Sequence, residues 1–113
     1  MIQVYFTDAG GELRVDMLGH GDLGNMEGLD VMCAAATTLA NTLAMSVMTM
    51  DEGGCLEEEA TIYIGDDAEG KARILCKPKP QCYSVLKTVY ATVVNGFIML
   101  SRIYPEHVEL VTE

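Results

Sequence analysis

The stretch GHGDLGNMEGLDVMC, residues 19 to 33, holds four glycines, two aspartates and one of the chain's two histidines, and it ends at a cysteine. An imidazole and a thiol are the two halves of a nucleophilic pair: the base takes the thiol proton and the sulfur attacks a carbonyl carbon. The pair works only within hydrogen-bond reach, so the twelve residues between His20 and Cys33 must fold back. Gly21, Gly24 and Gly28 lower the steric cost of that return, and such a loop can open for a substrate and close over it. Asp22 either orients His20 or faces solvent. Asp30 sits where a helix N-cap belongs, its carboxylate able to accept from the free amides of the first turn. Cys33 then falls third in the helix, where exposed amides and the positive helix end favour a thiolate. The amides of Met32 and Cys33 would serve an oxyanion there, if Asp30 does not occupy them. A blander reading stands beside this one. Cysteine is among the most buried residue types, and local physics alone reads Cys33 first as a core thiol.

The chain sets the frame for that loop. At 113 residues it is one domain, residues 1–113, with room for a core but not for a second folding unit. Seventeen acidic side chains against seven basic ones give a formal charge of −10, which repels phosphate backbones and favours basic peptides over nucleic acid. The cysteines at 33, 55, 76 and 82 match neither paired CxxC knuckles nor a zinc ribbon, so no metal is indicated. The start, MIQVYFTDAGGELRV, lacks a basic segment followed by an apolar one; neither a secretory leader nor disulfides are expected, and the thiols read as reduced and cytoplasmic. Cys55, in a Gly-Gly-Cys-Leu loop, reads as a surface thiol and Cys76 as core. Cys82 lies near a helix start and with His107 forms a second, weaker candidate pair.

The positioning elements follow from periodicity. Ile2, Val4 and Phe6, then Leu13, Val15 and Met17 alternate around Asp8-Ala9-Gly10-Gly11, a β-hairpin. Residues 31 to 50 carry no charge and are long enough to span a bilayer, but hydroxyls and an asparagine interrupt them and no basic anchor flanks them. Met32, Ala36, Leu39, Ala40, Leu43, Val47 and Met50 share one arc, with Thr37, Thr38, Asn41, Thr42, Ser46 and Thr49 opposite, which makes an amphipathic helix and not a membrane span. Ile62 and Ile64, then Ala72, Ile74 and Cys76 suggest a second hairpin, and Pro80 opens a helix over 81 to 104 with Leu86, Tyr90, Val93, Phe97, Leu100 and Tyr104 on its apolar face. Met45, Met48 and Tyr90 read as core or dimer contacts. His107 to Val111 is a short last strand. The order ββαββαβ predicts an α/β sandwich, a mixed or antiparallel sheet covered by two long helices.

Gly19-His20, a glycine-bearing stretch, then Asp30-Val31-Met32-Cys33-Ala34-Ala35 resembles the GHA...DIVCAA signature of the ribosomal-processing cysteine proteases, the Prp family. The element order is similar over essentially the whole chain. The loop is one residue longer than usual, Gly21 replaces an alanine, Val31-Met32 replaces Ile-Val, and Thr37 stands for a serine, keeping a hydroxyl one turn after Cys33. The resemblance implies a cofactor-free cysteine endopeptidase, cytoplasmic and homodimeric, that removes the N-terminal extension of a large-subunit ribosomal protein. Cys33 would be its nucleophile, His20 its base, and the intervening loop mobile around substrate. The alternatives are an inactive relative that binds basic ribosomal peptides and a structural assembly subunit.

Overall fold

Alternating side chains build the sheet, and helical stripes cover one of its faces. The computed structural model describes residues 1–19, 27–65 and 70–112, with 27–30 and 112 described by backbone. Its strands are β1 (Ile2–Ala9), β2 (Glu12–Leu18), β3 (Thr61–Ile64), β4 (Ala72–Cys76) and β5 (Val108–Thr112). The helices are α1 (Glu27–Glu52) and α2 (Tyr83–Ile103), the second entered through a short 3-10 turn at Pro80–Cys82. The strand order is β3-β4-β2-β1-β5, with β5 parallel to β1 and every other pair antiparallel, so the sheet is mixed.

Register explains why one face is dry. Ile64, Ala72, Met17 and Val4 lie side by side across four strands, and Ile62, Ile74, Val15 and Phe6 form the next row. Because side chains alternate along a strand, both rows point to the same face, and α1 over β3 and β4 with α2 over β2 and β5 closes it. Met32, Ala36, Ala40, Leu43 and Val47 of α1 meet Leu86, Tyr90, Val93, Phe97 and Leu100 of α2 in that core, all buried. Burying each large side chain of this kind is worth about 1.5–3 kcal/mol. Gly96 lets the helices approach, since a methyl group there would press on Leu39. The Tyr90 hydroxyl donates to the Ile74 carbonyl at 3.1 Å. Burial pushes up the pKa of both Tyr90 and its neighbour Cys76, so both stay protonated in the core. On the outer face of α1, Thr38, Thr42, Ser46 and Thr49 donate to carbonyls four residues back, a polar surface without charge.

Two expectations are corrected. The first helix begins at Glu27, so Asp30 is a first-turn residue and not the N-cap, and Gly28 belongs to the helix and not to the loop. Carboxylates are favoured both as caps and within the first turn, so residue type alone does not separate the two positions. The second concerns sulfur: Cys55 and Cys82 form a disulfide, with Cα atoms 5.6 Å apart. The segment after α1 bridges to the segment before α2 at Leu56 and Pro78, and the Lys79 amide donates to the Cys55 carbonyl at 2.8 Å. Backbone pairing thus brings together cysteines 27 residues apart. Closing a loop of that size is worth about 3.5 kcal/mol in the chain-entropy account. Cys55 is therefore not a free surface thiol, and Cys82 has no thiol to offer His107.

At the hairpin end, Asp8 accepts from the Tyr83 hydroxyl and the Lys87 ammonium of α2. The Lys87 hydrogen bond first, and then that of Tyr83, hold the Asp8 carboxyl below its usual value of 3.8. A carboxylate whose folded pKa is depressed contributes stability above its unfolded pKa and loses it as pH falls through the folded one. Asp8→Asn is therefore expected to lower the thermal midpoint at neutral pH, with the gap to wild type closing as the pH drops below 3.8. A gap that stays constant across that range in a calorimetric series contradicts the assignment.

Candidate active site

The N-terminal half of α1 crosses the end of the sheet where β2 finishes and β3 leads toward β4. Between them lies a cleft of about 490 Å³ whose walls include Met17, Gly19, Cys33, Thr37, Asn41 and Ile64. Two cysteines of the chain are free: Cys76 is buried, and Cys33 is half-buried and opens on this cleft. A thiol must be reachable to react, which separates the two.

Gly19 fixes where the chain leaves β2. Its φ of +92° is a left-handed conformation, and a side chain there would run into the carbonyl oxygen of Met1. The N-terminus that it passes is itself tied down, because the Ile2 amide donates to the His107 carbonyl at 2.7 Å. His107 thus serves the backbone, its own amide donating to Tyr104 at 3.0 Å.

Of the residues singled out from the sequence, the structure brings Gly19, Cys33 and Thr37 to one cleft. His20, Gly21, Asp22 and Gly24 lie outside the described residues. Asp30 and Gly28 are in the opening turns of α1. Cys33 is the seventh residue of that helix and not the third, so the helix-end argument changes. Only the first four amides of a helix lack an internal partner, and the dipole effect fades within the first turn. The amides of Met32 and Cys33 belong to the helical ladder and are not free for an oxyanion. Sequence reasoning missed Asn41, whose side-chain amide donates to the Thr37 carbonyl at 2.9 Å along the cleft wall. Its signal was present: positions 33, 37 and 41 repeat every four residues and share a helix face.

Among the described residues, no three His, Cys, Asp or Glu side chains come together to hold a metal ion. The site offers a reachable sulfur, hydroxyl and amide groups beside it, and apolar walls from Met17 and Ile64, a setting for nucleophilic chemistry on an extended ligand. Gly19→Ala is expected to lower stability by about 1–3 kcal/mol, measured by denaturant midpoint. It should cost more than Gly10→Ala, because Gly10 shares the positive φ but has open space around it. Equal costs would mean that the Met1 contact does not constrain the turn.

The family model for cysteine protease Prp matches residues 1–109. The fold is similar to the crystal structure of SMU.848 from Streptococcus mutans, with a TM-score of 0.74, 24% identity, and coverage of 100% of this chain and 96% of that one. It is also similar to the essential ribosomal processing protease Prp from S. aureus solved with a substrate peptide, with a TM-score of 0.72, 21% identity and complete coverage of both chains. No curated protein matches in sequence. With the family model spanning nearly all of the chain and the same mixed sheet under two helices, the protein belongs to the Prp family of cysteine proteases.

Proposed function

We propose that this chain is a cysteine endopeptidase that removes the N-terminal extension of a large-subunit ribosomal protein, with Cys33 as nucleophile and His20 as base. The observation that carries the reading is that Cys33, the free thiol open to solvent, shares a cleft with Gly19, the residue bonded to His20. In the reaction, His20 takes the Cys33 proton, the sulfur adds to the scissile carbonyl, and the protonated imidazole returns the proton to the leaving amine. Water then hydrolyses the thioester, with the same imidazole as base. Thr37, one turn beyond Cys33, supports the site with its hydroxyl.

The substrate class rests on the family and on charge. The related S. aureus protein is a ribosomal processing protease solved with a substrate peptide, and a chain of formal charge −10 attracts a basic ribosomal protein at long range. We place the enzyme in the cytoplasm and read it as a homodimer. Val85, Met99 and Ile103 on α2 are exposed and offer apolar surface for a second copy to cover.

Incubation with a peptide spanning the extended N-terminus of the host's ribosomal protein should yield cleavage at one bond. Cys33→Ala and His20→Ala should each reduce kcat/KM by about a thousandfold or more. Binding of the peptide by the unaltered protein without cleavage would replace the reading with that of a peptide-binding relative.

A further inference from the structure

Beyond the cleft at Cys33, α1 and the edge strand β3 enclose a second hollow of about 470 Å³. Its apolar floor is Met48, Ala60 and Ile62, and Asp51, Glu52 and Glu59 stand at its rim. Both hollows draw their walls from α1 and β3. Ile64 lines the first and Ile62 the second, neighbours on the core-facing side of β3. On α1, Asn41 lines the first and Met48 the second, seven residues apart and therefore on the same helix face. Met48 is 53% exposed at the second hollow. An unbranched methionine of this kind adapts to different peptide side chains.

Among the described residues, β3 pairs with β4 and forms one end of the sheet. An edge strand beside a groove is the usual setting for an extended peptide. The rim selects its charge: all three ionisable groups at the far hollow are acidic and exposed.

We infer that the groove between α1 and β3 is an extended-peptide subsite, continuous with the Cys33 cleft, that takes the basic residues of the substrate through Asp51, Glu52 and Glu59. This rests on the peptidase reading and adds a distance to it. Cys33 and Glu52 are 19 positions apart on α1, a rise of about 28 Å, which an extended peptide covers in about eight or nine residues. Substrate preference therefore includes a Lys or Arg about eight or nine positions from the cleaved bond, on one side of it.

The test compares three peptides with the same scissile segment: a Lys pair eight and nine residues before the bond, the same pair after it, and Glu pairs in both places. Steady-state kinetics are measured on the unaltered enzyme and on the exposed-site variant Asp51→Asn/Glu52→Gln/Glu59→Gln. The expected result is that one Lys peptide has a KM about tenfold or more below the Glu peptide with kcat little changed, a preference that shrinks in about 0.5 M salt and is lost in the triple variant. No preference in the unaltered enzyme, or the same preference in the triple variant, overturns the inference. Anisotropy binding of the labelled peptides to Cys33→Ala keeps the two proposals separate. Charge-selective binding that the three neutralising substitutions abolish upholds the groove even if no peptide is cut. Cleavage without charge preference upholds the peptidase and removes the groove.

Discussion

The site depends on one tight passage of backbone. Gly19 runs beneath the Met1 carbonyl in a left-handed conformation that leaves no room for a side chain, so the end of β2 is fixed against the start of β1. The same sheet end underlies α1 where Cys33 points into the cleft. The chain that continues from Gly19 toward His20 is thereby started from a defined place beside the sulfur. The remainder of the fold serves this: β5 pairs with β1 and holds the N-terminal strand, while Tyr90, Phe97 and Leu43 fill the core between helices and sheet.

The hairpins and the two helices were legible because each buries one face, and burial imprints a period of two or of about 3.6 on the sequence. Val4, Val15 and Ile74 are buried as the alternation requires, and Leu86, Tyr90, Val93, Phe97 and Leu100 as the helical stripe requires. Strand order was not legible. The parallel pairing of β5 with β1 joins the two ends of the chain, and nothing local encodes it. The helix start was misplaced because an aspartate near a helix N-terminus is favourable at several positions. The Cys55–Cys82 link escaped because spacing and compartment carry no information about the bridge at Leu56 and Pro78 that brings the two residues together.

Residue type and motif pointed to Cys33 and Thr37, which line one cleft, and the structure supplied what separates a reachable thiol from an enclosed one. Cys76 is enclosed with Tyr90 in the core, and Cys55 and Cys82 are consumed by each other. Only Cys33 combines a free sulfur with an open cleft. The acidic residues of α1 stand at its two ends, Glu27 and Asp30 before Cys33 and Asp51 and Glu52 at the last turn, and the stretch between carries no charge.

The central claim is that His20 activates Cys33. It is tested most directly by trapping the enzyme with a peptidyl chloromethyl ketone built on the substrate segment, following the adduct by mass spectrometry. Alkylation of Cys33 alone, at a rate that falls about a hundredfold in His20→Gln while peptide affinity is retained, is the predicted result. Alkylation of Cys76, or an equal rate on Cys33 with and without the imidazole, contradicts it.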